Sequence, residues 1–340
     1  MAGPLAGTQA AGQGSAEGLE LRRDVPYGVA SGQTLTMDAY IPSGSGPFPG
    51  LITIHGGGFV RGDKSLMRGV SMFFAQQGYA VFSIDYRLAP EFPYPAAVKD
   101  AQTAVKFLRD HAGEFKVDPG RIGAMGGSAG ATIAVQLGEE SRGHLASGSG
   151  VAAVVSWSAA LDLGAVVDQR AGNRAVDDLL SYAGVPGANP SSAGAQTKLK
   201  AASPINQLAR GAPPMFIANA QQELMPIDQA QAFVAKLKAL GIAHQTLWPP
   251  KGHALKYAPE AEAPSAQFLD KYVLHAQISP SPSASPSPSV TPSTQPTSPP
   301  SRSSSLLLPI VIGVGLVVLV GLLAGPVISA VRRRRRTRYW

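Results

Sequence analysis

Arg121-Ile122-Gly123-Ala124-Met125-Gly126-Gly127-Ser128-Ala129-Gly130 joins an apolar, strand-like run to a Gly-x-Ser-x-Gly turn. A serine in that pattern stands on a sharp strand-to-helix turn, with its hydroxyl lifted above the edge of a sheet. Small residues two positions to either side let the turn close against neighbouring backbone. One such match is weak by itself. It gains weight from His55-Gly56-Gly57-Gly58-Phe59, about seventy residues upstream, and from His253, far downstream.

Working outward, apolar β-branched runs alternate with helical patterns. Short buried strands are predicted at Leu51–Ile54, Ala80–Ile84, Ile122–Met125, Val151–Trp157, Met215–Ala218 and Gln245–Trp248. Residues 19–25 and 34–41 suit two leading antiparallel strands. Helices are predicted over about 96–110, from Ser128 to about Glu140, over 227–240, and near 174–183. Such alternation implies an α/β architecture: a mainly parallel central sheet with helices on both faces. Chemistry in these sheets gathers beyond the C-terminal strand ends. Ser128, His55, Glu223 and His253 all follow predicted strands.

The chain has 340 residues and a formal charge of +7. That excess is local. Seven arginines lie after residue 275, where there is no acid, and without them basic and acidic residues are equal in number. The globular part, 19–275, therefore offers no nucleic-acid footprint. The absence of cysteine excludes a cysteine nucleophile, thiolate metal sites and disulfides. No metal-ligand constellation or dinucleotide loop is present, and no cofactor is expected. The glycines at 56–58 lack the Gly-Lys-Ser/Thr that opens the helix of a phosphate cradle.

Residues 1–18 are rich in Ala, Gly, Gln and Ser and read as disordered. Residues 276–305, dominated by Ser, Pro and Thr, read as an extended spacer. The uncharged run 306–331 reaches about 39 Å as a helix, enough to span a bilayer. The basic tail 332–340, opening on Arg332 to Arg336, then reads as a cytoplasmic anchor. By this reading the chain is single-pass at the cell membrane, with residues 1–305 outside. Met1 to Leu5 has neither a basic start nor an apolar core. Export would then use a signal upstream of this start. The alternative, a tail anchor with the domain inside, would carry six arginines across the membrane.

The ordered motifs His55 to Gly58, Tyr86-Arg87-Leu88-Ala89-Pro90-Glu91 and Gly126 to Gly130 resemble the α/β-hydrolases of the hormone-sensitive-lipase-like and feruloyl/acetyl-esterase-like groups. The resemblance covers about residues 19–275. It implies acyl transfer in which Ser128 attacks an ester and His253 moves its proton. The N–H groups of Gly57, Gly58 and Ala129 would stabilise the oxyanion. The family places its triad aspartate where this chain has Gln222. Glu223 is the favoured acid, with Asp162 and Asp228 as alternatives, and a chain without a functional acid stays open. His55 is expected to brace the glycine loop. His244 falls at the wrong end of its strand, and His111, His144 and His275 have surface contexts. Asp85 and Asp100 read as structural.

The segment 160–212 has room for a small cap. An open site of this kind suits short acyl esters, borne on small molecules or on polysaccharides. An acyltransferase or peptidase on the same fold, or a surface binding module without catalysis, are the competing classes. The oligomeric state is not legible.

Overall fold

The computed structural model describes residues 13–16, 18–141, 148–170 and 173–274. All of them fall in one unit, Met1–Pro282. The spacer, the apolar run 306–331 and the arginine cluster lie outside the described residues. So does most of the segment read as disordered, although Gln13–Ala16 within it forms the first strand. No helix among the described residues is long and apolar enough to cross a membrane.

The strands are β1 (Gln13–Ala16), β2 (Leu19–Ala30), β3 (Gln33–Pro42), β4 (Phe48–Ile54), β5 (Ala80–Ile84), β6 (Val117–Gly127), β7 (Val154–Trp157), β8 (Met215–Ala218) and β9 (His244–Leu247). The helices are α1 (Arg68–Gln76), α2 (Ala96–Asp110), α3 (Ala129–Glu139), α4 (Leu163–Gln169), α5 (Arg174–Tyr182), α6 (Ala193–Ala202), α7 (Pro204–Gln207), α8 (Ile227–Ala239) and α9 (Ala258–Leu269). One nine-stranded sheet runs in the order β1-β2-β3-β5-β4-β6-β7-β8-β9. β1, β2 and β3 pair antiparallel, and every pair from β5 to β9 is parallel.

Strand residues alternate between two cores. Ile52, Ile54, Phe82, Ala124, Val154 and Ile217 face the core closed by α2, α3 and α8. Leu51, Val81, Met125, Val155, Trp157 and Phe216 face the opposite core, closed by α1 and α9. This period of two comes from the pleat, and it explains why the parallel strands read as continuous apolar runs. Helices α4 to α7 form an insertion between β7 and β8.

One junction positions the site. β6 ends at Gly127, and Ser128 takes φ 55° and ψ −123° before α3 begins. A Cβ on Gly126 would lie 2.2 Å from the Gly130 carbonyl carbon. A Cβ on Gly130 would lie 2.0 Å from the Ile54 carbonyl oxygen. The two glycines thus allow α3 to leave β6 directly over the end of β4. The serine's left-handed backbone is held by its N–H, which donates to the Trp157 carbonyl at 2.8 Å, and by its carbonyl, which accepts from Ala131 at 2.9 Å and Thr132 at 3.2 Å.

Substitution of Gly130→Ala is expected to lower unfolding free energy by ~3 kcal/mol or more, since backbone cannot yield as a side chain does. Gly69→Ala, on the exposed face of α1 with open space around it, should instead raise stability by about 0.5 kcal/mol. Urea denaturation of both variants checks the pair, and equal effects would contradict the packing described.

Candidate active site

The parallel strands deliver four loops to one edge of the sheet. Ser128 follows β6, Ser158 follows β7, Glu223 lies between β8 and α8, and His253 follows β9. The last two loops are zipped by backbone. Gln221 N–H donates to Pro249 at 2.8 Å, Gln222 N–H donates to Pro250 at 3.2 Å, and Gln222 pairs with Lys251 as a parallel bridge. That bridge places the exposed Gln222 in the extended pairing, and its neighbour Glu223 turns beneath the imidazole.

The His253 Nδ1–H donates to Glu223 Oε2 at 2.5 Å, and Nε2 lies 2.9 Å from Ser128 Oγ. An ionised carboxylate only accepts, so it fixes the proton on Nδ1 and leaves Nε2 free to accept from the serine. The Glu223 side chain is fully buried, and that of His253 is 24% exposed. Glu223 Oε1 accepts from the Ala220 N–H at 2.6 Å and from Ser158 Oγ at 2.9 Å. The carboxylate is therefore satisfied on both oxygens, which burial requires.

Ser158 is a junction that sequence reasoning missed. It is a non-glycine residue at φ 59°, fully buried. Its Oγ donates to Glu223, accepts the Ala254 N–H at 2.8 Å, and lies 2.7 Å from Tyr257 Oη. Burial pushes the Tyr257 phenol well up, so it remains a donor. One serine thus ties the acid to the loop of the histidine. Its position directly after a strand at the reactive edge was the available signal. Arg170, also missed, donates to the carbonyls of Glu223 at 2.8 Å and Leu224 at 3.0 Å.

The other two carboxylates weighed from sequence lie elsewhere. Asp162 caps α4, accepting from the Ala165 N–H at 3.2 Å. Asp228 occupies the first turn of α8. Asp85 binds Lys64 and Thr36, and Asp100 takes the fork of Arg87, so both tie loops together.

The glycine loop continues β4. Gly57 and Gly58 have φ 121° and 63°. A Cβ on Gly57 would lie 2.0 Å from the Arg61 carbonyl oxygen, and one on Gly58 would lie 2.3 Å from Asp178 Oδ2. A Cβ on Gly56 would lie 3.2 Å from Ser128 Cβ, so the loop rests against the serine turn. His55 braces it: the ring is buried and stacked on Tyr86, with Nδ1–H donating to the Gly56 carbonyl at 2.7 Å. Burial holds its pKa below the usual histidine range. His244 lies at the start of β9, and the His111 Nδ1–H donates to the Phe107 carbonyl within its own helix turn. His144 and His275 lie outside the described residues.

Ser128, His253, Gly57, Gly58 and Ala129 all line one cleft of about 390 Å³. Its walls are mainly apolar, including Phe59, Leu179, Met225 and Leu255, with Arg61, Asp178 and Lys256 as charged members. Among the described residues, no group of three or more His, Cys, Asp or Glu side chains could hold a metal ion.

A largely parallel sheet, helices on both faces and a serine on a strained strand-to-helix turn beside a histidine define an α/β-hydrolase fold. Solved structures share it: a carbohydrate esterase from gut microbiota superposes with a TM-score of 0.65 at 21% identity, covering 75% of this chain and 96% of that one. A bacterial heroin esterase gives 0.65 at 22% identity, covering 76% of this chain and 85% of its own. The chain belongs to the BD-FAE family, whose profile matches residues 37–237. That match includes the glycine loop, Ser128 and Glu223 and ends before His253. Esterase LipI of Mycobacterium tuberculosis is 44% identical over 95 residues, 28% of this chain and 30% of that protein. Esterase LipC of the same organism is 30% identical over 232 residues, 64% of this chain and 55% of its own. The chain thus matches less than two thirds of the length of either relative.

The short Nδ1–Oε2 contact predicts a strongly downfield imidazole N–H proton resonance in the wild type. Glu223→Gln should abolish it, whereas Asp162→Asn and Asp228→Asn should leave it in place. A signal that survives Glu223→Gln would assign the histidine a different partner.

Proposed function

We propose that the chain is a carboxylesterase acting on short acyl esters. The observation that carries this reading is the continuous Ser128–His253–Glu223 relay opening into a mainly apolar cleft beside Gly57 and Gly58. The matched relatives named as esterases support the reaction class.

The chemistry follows from the proton positions. Ser128 Oγ attacks the ester carbonyl carbon while its proton passes to His253 Nε2. The carbonyl electrons move onto oxygen, and that oxyanion is met by the N–H groups of Gly57, Gly58 and Ala129. Glu223 stabilises the imidazolium that results. Collapse re-forms the carbonyl and expels the alcohol oxygen, which takes the Nε2 proton. Water then attacks the acyl-serine by the same route, releasing the carboxylic acid and restoring the serine. Loss of one oxyanion donor typically reduces turnover by ~10²–10³.

Cleft size and the modest helical insertion support small acyl groups over long chains. The alcohol side, small or polysaccharide-borne, opens to solvent. In this reading residues 276–305 hold the domain off a cell membrane spanned by 306–331. The arginine cluster lies on the cytoplasmic side, and the esterase domain faces outward.

Purified protein should hydrolyse p-nitrophenyl acetate and not the palmitate. A fluorophosphonate probe should label the wild type and not Ser128→Ala. Absence of labelling would leave a binding module on a hydrolase fold, and preference for palmitate would overturn the short-acyl assignment.

External protease applied to intact cells expressing the full chain should release the domain. A domain that stays protected until lysis would contradict the outward topology.

A further inference from the structure

Asp178 presents an electrostatic problem at the cleft. Its carboxylate sits on α5 with the side chain 12% exposed, and Oδ2 lies against the Cα of Gly58. This is the loop whose N–H groups meet the developing oxyanion under the proposed function. A bare carboxylate there would oppose the negative charge that the reaction creates.

Arg61 answers it. One guanidinium nitrogen donates to Oδ2 at 2.7 Å and another to Oδ1 at 3.2 Å, so both carboxylate oxygens are engaged. Such two-point pairing is a property of the planar fork that a lysine lacks. Among the described residues, Arg61 is the only side chain that pairs with Asp178. The same residue's carbonyl packs against Gly57. The arginine is 48% exposed and lines the cleft together with Lys256.

We infer that Arg61 is a positioning residue for the reaction, neutralising the Asp178 carboxylate that lies against the glycine loop. This inference rests on the esterase reading. A purely mechanical role, latching α5 to the loop, is not needed. Phe59 and Tyr182 already stack across the same junction at 3.8 Å, so the helix is held there without the ion pair.

The two roles predict opposite signs, which a mutant cycle on p-nitrophenyl acetate separates. Arg61→Ala leaves the carboxylate uncompensated. Its kcat should fall ~10- to 100-fold with KM within ~3-fold, the scale of a unit charge acting over several ångströms at an effective dielectric near 20. The double variant R61A/D178N removes both charges and should recover to within ~3-fold of the wild type. Asp178→Asn alone removes the negative charge and keeps the arginine at the cleft, and should raise kcat. If R61A/D178N stays as slow as R61A, or if D178N does not raise kcat above the wild type, the pair is a latch and the inference is wrong. The D178N arm keeps the test decisive if R61A fails to fold. A wild-type protein with no hydrolysis would instead fail the esterase reading itself.

Discussion

The contact between Gly130 and the carbonyl of Ile54 sets the geometry of the entire site. It is the point where α3 crosses the end of β4. The chain runs on from the end of β4 into His55 and the three glycines. Because the helix can sit directly on that strand end, Ser128 at the helix start and the glycine loop at the strand end become neighbours. Ser128 and the backbone of Gly57 and Gly58 are therefore co-positioned by one side-chain-free approach. The strain of a serine at φ 55° costs ~1–3 kcal/mol. Three backbone hydrogen bonds and two packed cores hold the residue there.

The second half of the site is built by hydrogen-bond accounting. Glu223 is buried without a cationic side chain, and each of its oxygens is met by donors. Ser158 has one proton to give, and Glu223 takes it. The Tyr257 hydroxyl must then point at Ser158 or at the Ala218 carbonyl, 3.1 Å away, and the Ala254 N–H supplies the remaining bond to Ser158. With the carboxylate ionised, its acceptance from Nδ1–H leaves Nε2 to face Ser128.

Much of this was legible in the sequence because the signals were local. Ala80–Ile84 and Met215–Ala218 were read to the residue from their apolar runs, and α2 was read over about 96–110 from its helical period. Helix α1 was missed, as its glycine and serine blur the stripe. So was α9, which contains Pro264 in its interior, a residue that ordinarily argues against a helix. The position of Gln222 obscured the acid. Pairing with Lys251 settles which of two adjacent side chains turns inward, and that register depends on a loop thirty residues away. Ser158 and Arg170 act through contacts that no local pattern encodes.

The imidazole's loop follows β9, a four-residue, half-buried strand that among the described residues pairs on one side only. Edge strands with few buried contacts belong to the part of a fold that opens first. Fraying of that margin would separate His253 from Ser128 while both cores remained packed. Heat inactivation would then precede global melting, and the gap between the two temperatures would report the local stability of this outer ribbon.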